Sequence, residues 1–198
     1  MNKAQRVRAT MRRENVDYVP AGFWFHYGPS YTEEEMIEAH MQLFQETDMD
    51  VVKIMQDYSY PITGAISCAQ DWYQIGIKGT DSEEFAKMAR IIKGIREKAG
   101  DEVLIFQTMF GPTKAASIAF GDDVLMKYCR QDPEAVKAGL KRLSEGLCQW
   151  ARGYLDAGAD GIYYSAQFGE VGRFTRQEWE ELVKPWDLAV LNVADGME

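Results

Sequence analysis

Two kinds of hydrophobic pattern alternate along the chain. Short apolar runs at residues 19–25, 51–55, 103–106 and 161–164 are typical of strands that are buried on both faces. The segments between them carry apolar residues at three- and four-residue spacing, which predicts amphipathic helices. The order is one helix followed by about four strand–helix units. This alternation indicates a parallel sheet with helices on its outside.

Signals for helix starts and breaks support this division. A threonine stands three residues before a glutamate at Thr32 and at Thr175, which is the spacing of a capping box. Asp132 before Pro133 predicts the start of the longest helix, and Pro185 is expected to kink or end the last one. The longest helix has a predicted core stripe that consists of Val136, Leu140, Leu143, Leu147, Trp150 and Tyr154.

The predicted fold class is α/β, of the (βα)8 TIM-barrel type, represented by about the first four βα units as a half barrel. A complete barrel typically needs about 250 residues, whereas four units here use all 198 residues. An open, flavodoxin-like sheet of four strands is the alternative arrangement. No glycine-rich phosphate-binding motif follows any predicted strand, which argues against a nucleotide site in either fold.

Composition and charge narrow the function classes. The formal net charge of -9 argues against a nucleic-acid partner or an anionic membrane surface. No apolar run reaches the roughly 18 residues of a membrane span, and the N-terminus lacks the apolar segment of a secretory signal. The three cysteines are widely spaced and fit reduced thiols. We therefore expect a cytoplasmic protein that binds neither nucleic acid nor a membrane.

Four stretches of the sequence follow the order of one known family. Residues 51–62, VVKIMQDYSYPI, end a strand in an aspartate before a proline-containing turn, and residues 110–121, FGPTKAASIAFG, place a Gly-Pro loop before a helix. Residues 156–186 contain an Asp-Ala-Gly-Ala turn, a strand that ends in serine and a helix that ends in Pro-Trp. Together with the opening helix and strand at residues 6–24, they resemble the N-terminal half of the uroporphyrinogen decarboxylase family. Its superfamily also contains corrinoid-dependent, zinc-containing methyltransferases.

The resemblance implies that residues 1–198 form the N-terminal half of a uroporphyrinogen decarboxylase-like barrel, an incomplete domain. It implies a lyase of porphyrin biosynthesis, a decarboxylase that acts on the acetate side chains of uroporphyrinogen or a related substrate. A half barrel has two unpaired sheet edges, which are a liability in water. We therefore expect either a homodimer, a partner half-barrel, or a fragment that is not catalytic by itself.

Candidate site residues follow from the rule that parallel barrels carry their active sites at the C-terminal ends of the strands. By resemblance, Asp57 matches the family aspartate that binds pyrrole N–H groups and stabilises the cation formed when the ring is protonated. Ser165 matches a family serine that hydrogen-bonds substrate. The other residues that are predicted to bind substrate are His26, Tyr27, Phe110, Thr113 and Gln167.

Three polar residues have alternative interpretations. His26 is a candidate acid, base or ligand, because imidazole titrates near neutral pH. Lys53, within the second predicted strand, either pairs with a carboxylate in the barrel or belongs to an inward-pointing layer of side chains. His40 lies on an apolar helix stripe and is interpreted as structural.

Two departures from the family pattern weaken the assignment to porphyrin substrates. Residues 24–35, WFHYGPSYTEEE, lack the arginines that the family carries after its first strand, although arginine is the residue best suited to bind carboxylates. The family tyrosine that follows the Gly-Pro motif aligns near Ser117. These departures favour the alternative, a corrinoid-dependent zinc methyltransferase. Its metal ligands would lie in the other half of the barrel, and no metal or cofactor is predicted in this half.

Overall fold

The computed structural model describes residues 1–28 and 30–194, in which helices and strands alternate. The helices are α1 (Lys3–Met11), α2 (Glu33–Thr47), α3 (Glu83–Ala99), α4 (Pro112–Phe120), α5 (Asp122–Gln131), α6 (Pro133–Asp156), α7 (Arg176–Leu182) and α8 (Lys184–Leu191). The strands are β1 (Val51–Ile54), β2 (Ile62–Thr63), β3 (Gly76–Ile77), β4 (Leu104–Phe110) and β5 (Gly161–Ser165). A short 3₁₀-helix covers Ala69–Tyr73.

The main sheet contains β1, β4 and β5, with β4 in the middle. β1 runs parallel to β4, and the register pairs Val51 with Leu104 and Ile54 with Gln107. β2 and β3 pair antiparallel as a separate small sheet. The strands predicted at residues 51–55, 103–106 and 161–164 are thus confirmed, as is the mixed α/β class with a parallel sheet.

The strand predicted at residues 19–25 is wrong. In the described part of the chain this segment has no regular secondary structure and joins no sheet, and Phe23, Trp24 and Phe25 are exposed. The Asp50 N–H donates to the Ala21 C=O at 2.8 Å, but one such bond does not make a ladder. The main sheet therefore has three described strands where the sequence predicted four.

A buried ion pair anchors residues 19–25. The Arg6 guanidinium donates to Asp50 Oδ1 at 2.7 Å, and Asp50 Oδ2 accepts the Ala21 N–H at 2.9 Å. Arg6 also donates to both carboxylate oxygens of Asp17, at 2.6 and 2.9 Å. Because these bonds hold the chain just before residues 23–28, they fix where the aromatic residues and His26 emerge.

The chain divides into two compact units. The first comprises Met1–Tyr58, Ala86–Thr108 and Gly153–Tyr163, and the second comprises Ser59–Phe85, Met109–Arg152 and the chain from Tyr164 onward. The first unit holds β1 and the larger parts of β4 and β5. In it, Ala4 and Val7 of α1 pack against Leu104. Its α3 contributes four fully buried side chains, namely Met88, Ile91, Ile92 and Ile95.

The core of the second unit is centred on α6. The predicted stripe of this helix is confirmed, because all six of its side chains are fully buried, including Tyr154, which belongs to the first unit. Within the second unit, Val136 and Leu140 cluster with Trp72 of the 3₁₀-helix and with Leu182 and Val183. Burial of such side chains is the main favourable contribution to folding.

The helix starts predicted at Thr32, Asp132 and Thr175 and the interruption predicted near Pro185 are confirmed. Thr32 and Thr175 both form capping boxes with the glutamate three residues later. The Asp132 carboxylate accepts the Ala135 N–H at 3.1 Å, as expected of a residue that caps α6. α7 ends at Leu182 and α8 begins at Lys184, so the helix is interrupted just before Pro185. Among the helices of the described residues, none has the length and apolar character needed to cross a bilayer.

The three cysteines are free thiols in different environments, which permits a labelling test. Cys68 is exposed, whereas burial raises the pKa of Cys129 from 9.0 to about 11. This shift lowers the reactive thiolate fraction at neutral pH by about 100-fold. We expect a thiol reagent to modify Cys68 rapidly and Cys129 only after unfolding, as followed by mass spectrometry. Rapid labelling of Cys129 in the folded protein would contradict its burial.

Candidate functional site

Asp57 lies three residues beyond the end of β1, and its side chain is buried with 4% of its surface exposed. Both carboxylate oxygens are engaged within the first unit. Nδ1 of His26 lies 2.5 Å from Oδ1, and the backbone N–H of Tyr27 donates to Oδ2 at 3.2 Å. The Asp57 carboxylate therefore binds His26 and Tyr27, the two residues that directly follow the segment predicted as the first strand.

The contact with Asp57 fixes the orientation of the His26 ring. An ionised carboxylate only accepts hydrogen bonds, so Nδ1 of His26 carries the proton in this pair. Nε2 is then the atom that can exchange a proton with a ligand. The His26 side chain is 63% exposed, in contrast to the buried Asp57. A buried carboxylate and an accessible imidazole thus form one acid–base pair.

Tyr27 and His40 form the support behind this pair. The Tyr27 hydroxyl donates to the Ala39 C=O at 3.0 Å, and its ring packs against His40 with 4.7 Å between the centroids. Nδ1 of His40 donates to the Met36 C=O at 2.7 Å. Burial lowers the pKa of His40 and raises the pKa of Tyr27, so both side chains are neutral near pH 7. His40 therefore has a packing role here, in line with its interpretation from the sequence.

Lys53 on β1 lies between two aromatic rings of the first unit. Its Nζ is 3.7 Å from the ring centroid of Trp24 and 3.5 Å from that of Tyr163. Burial lowers the pKa of this ammonium group. The sequence left open whether Lys53 pairs with a carboxylate or belongs to a layer of packed side chains. Its contacts with two aromatic rings agree with the second alternative.

A buried polar network lies beside the C-terminal end of β1. The Tyr154 hydroxyl donates to Oε1 of Gln56 at 3.2 Å, and Nε2 of Gln107 donates to the same oxygen at 3.3 Å. Nε2 of Gln56 donates to the Tyr58 C=O at 2.8 Å. These bonds fix the backbone on both sides of Asp57, which lies between Gln56 and Tyr58.

In the second unit, the Gly-Pro loop is held by a buried tyrosine. The Tyr60 hydroxyl accepts the Phe110 N–H at 3.1 Å, and burial raises the pKa of Tyr60. Phe110 itself is half-buried. Thr113 is buried in the first turn of α4, and its Oγ1 has no hydrogen-bond partner among the described residues. Such an orphan hydroxyl is uncommon in a folded protein.

A second buried pair lies next to this loop, and the sequence did not indicate it. The Tyr164 hydroxyl donates to Oδ1 of Asp187 at 2.7 Å. Burial raises the pKa of both groups, and the hydrogen bond from Tyr164 partly offsets the rise for Asp187. A Cβ atom at Gly111 would lie 2.3 Å from Oδ1 of Asp187 and 2.4 Å from the Tyr164 oxygen. The Gly-Pro loop and this pair are therefore in direct contact.

Ser165 and Gln167 are also brought together. Nε2 of Gln167 donates to Oγ of Ser165 at 3.2 Å. Ser165 is half-buried at the end of β5, and Gln167 is exposed. This placement agrees with the expectation that both residues lie at the C-terminal end of a strand.

The model of the family described as uroporphyrinogen decarboxylase (URO-D) matches residues 52–194, which is more than half of the chain. The chain belongs to the uroporphyrinogen decarboxylase family. The resemblance seen in the sequence motifs is thereby confirmed. No curated protein matches the chain in sequence.

A solved structure supports the family fold. A methyltransferase from Methanosarcina mazei superposes with a TM-score of 0.73 at 16% sequence identity. The similarity covers 97% of this chain and 68% of the methyltransferase chain. At such low identity the likeness shows the fold alone. It agrees with an α/β fold of the TIM-barrel type, while the division into a half barrel stays a prediction.

The predicted site residues of this family member form separate groups. The structure brings His26, Tyr27 and Asp57 together in the first unit, and Ser165 and Gln167 together in the second. Their roles toward a substrate stay predictions. The sequence did not indicate that Trp24 and Tyr163 lie beside Lys53, or that Tyr164 and Asp187 form a hydrogen-bonded pair. The one available signal was Lys53, a charged residue inside an apolar run.

The methyltransferase branch of the superfamily implies a zinc ion that is held by histidine and cysteine. Within the described residues, no three His, Cys, Asp or Glu side chains form a group that could hold a metal ion. These residues therefore do not fit a zinc site by themselves.

Proposed function

We propose that this member of the uroporphyrinogen decarboxylase family is a decarboxylase. It removes CO2 from an acetate group on an electron-rich ring, in uroporphyrinogen or a related small molecule. The observation that carries this proposal is the His26–Asp57 pair, with Nδ1 and Oδ1 at 2.5 Å. It lies beyond the C-terminal end of a parallel strand, where barrels of this type carry their catalytic residues.

The two side chains have distinct roles in the proposed reaction. Nε2 of protonated His26 transfers its proton to a ring carbon, and the negative charge of the buried Asp57 carboxylate stabilises the resulting cation. The bond between the methylene carbon and the carboxylate then breaks, its electron pair neutralises the ring, and CO2 leaves. A solvent proton converts the exocyclic methylene to methyl, and the ring proton returns to His26. Each turnover replaces one CO2 with one proton.

The substrate is proposed to carry fewer carboxylates than uroporphyrinogen. Residues 24–35 contain no arginine or lysine and several glutamates. A loop of this composition repels a highly carboxylated tetrapyrrole, since it offers no guanidinium for bidentate binding. A ring with one or two carboxylates suits such a loop better.

The test compares two substrates under anaerobic conditions. The chain is incubated with uroporphyrinogen III and with porphobilinogen, a single pyrrole that carries an acetate group, and loss of CO2 is followed by mass spectrometry. We expect porphobilinogen to lose CO2 faster than uroporphyrinogen, and the His26→Gln variant to lose the activity. If folded wild-type protein decarboxylates neither compound, the proposal is wrong.

A second candidate function is methyl transfer, which the fold of the Methanosarcina mazei methyltransferase and the loop without arginines both favour. This activity is tested with methylcobalamin and a thiol acceptor, by following the absorbance of the cobalamin. Demethylation of the cobalamin without any decarboxylation of the pyrroles would replace the first proposal by the second.

A further inference from the structure

Lys53 is a buried cation without a counter-charge. The residue is 9% exposed, and within residues 1–28 and 30–194 its ammonium group makes no ion pair or hydrogen bond. Lysine is rarely buried to this degree unless it is paired. A buried ammonium without a counter-charge costs free energy, so its presence inside β1 indicates an anionic partner other than the described residues.

The two rings beside Lys53 satisfy this cation only in part. The faces of Trp24 and Tyr163 attract the ammonium group, which lies less than 4 Å from each ring centroid. Neither ring carries a charge, so the positive charge is not neutralised. The Trp24 residue is 50% exposed and Tyr163 is 48% exposed, and this leaves much of both rings open to a ligand.

We propose that Lys53, Trp24 and Tyr163 form a binding site for an aromatic carboxylate. The ammonium group of Lys53 pairs with the carboxylate, and the exposed rings of Trp24 and Tyr163 pack against the ring of the ligand. This inference deepens the proposed function, on which it rests, because it names the residues that bind the ring and the carboxylate of the substrate. It also supplies the cation that the loop at residues 24–35 lacks.

The experiment measures binding without turnover. The probes are phenylacetate and its neutral analogue phenylacetamide, and their affinities are measured by ligand-observed NMR, which suits weak ligands. We expect wild-type protein to prefer phenylacetate by about tenfold or more, the preference that a charge-assisted hydrogen bond supplies. The preference should disappear in Lys53→Met and persist in Lys53→Arg. The Trp24→Ala variant should bind both probes more weakly.

The control variant is Lys127→Met. Lys127 also lies over an aromatic ring, 4.9 Å from the Tyr128 centroid, but it is exposed on α5. Circular dichroism checks that each variant is folded, and Lys53→Gln takes the place of Lys53→Met if the latter does not fold. The proposal is overturned if wild-type protein binds neither probe, shows no preference, or keeps its preference without Lys53. Binding through Lys53 without decarboxylation would overturn the proposed function alone.

Discussion

The Asp57→Asn variant is expected to lose about 100- to 1000-fold in kcat/KM for decarboxylation, the range found when a group that stabilises a transition-state charge is removed. Asparagine keeps an oxygen that accepts the Tyr27 N–H, so the loop geometry is retained. It lacks the negative charge that stabilises a ring cation, and it no longer holds His26 as a carboxylate does. Steady-state rates of CO2 loss from the better pyrrole substrate measure the effect.

Two comparisons make this result specific. His26→Gln removes the proton donor and should cost about 100-fold or more, and the double variant should lose little beyond the larger single loss, because the two residues act as one pair. Asp101→Asn is the charge-matched control, since Asp101 is exposed and lies outside residues 24–35. If Asp57→Asn keeps activity close to that of the control, Asp57 has no catalytic role.

The sequence predicted the helices well because helix formation is governed by local patterns. The α6 stripe recurs at helical spacing and is buried as expected. Thr32 and Thr175 form their capping boxes within four residues of sequence. Such signals need no knowledge of distant contacts.

The first strand could not be predicted in this way, since a strand needs a partner as well as an apolar sequence. Residues 19–25 have the composition of a buried strand, but they make no ladder in the described structure and expose three aromatic side chains. An apolar run indicates burial only where another strand supplies the hydrogen bonds.

The candidate site was predicted residue by residue, but its pairings were not. The rule on strand ends selected both His26 and Asp57, which lie 31 residues apart in the sequence. It did not reveal their hydrogen bond, since that depends on how Arg6 and Asp50 hold residues 19–25. The two rings around Lys53 come from segments that are still farther apart.

Gly111 is the glycine of the Gly-Pro motif, and packing explains why a glycine is needed at this position. Its backbone φ is -69°, a value that any residue adopts, so conformational freedom does not explain the glycine. The reason is the lack of a side chain, because the Tyr164–Asp187 hydrogen bond lies where a Cβ atom would project. In the FGPT motif, the backbone of Gly111 therefore packs directly against a buried polar pair in the second unit.

Gly111→Ala is expected to destabilise the protein by about 2–4 kcal/mol, the sum of overpacking and a broken buried hydrogen bond. The added methyl group would lie 2.3 Å from Asp187 Oδ1, so that side chain must move away from Tyr164. Urea denaturation followed by circular dichroism measures the free energy of unfolding.

The matched control for this prediction is Gly169→Ala, where a Cβ atom would meet no atom within 4 Å, and we expect a change of less than about 0.5 kcal/mol. Combining Gly111→Ala with Asp187→Ala should cost less than the sum of the two single changes, because the second removes the oxygen that the first displaces. Strict additivity, or a Gly111→Ala variant as stable as the control, would show that the Tyr164–Asp187 pair does not require glycine at this position.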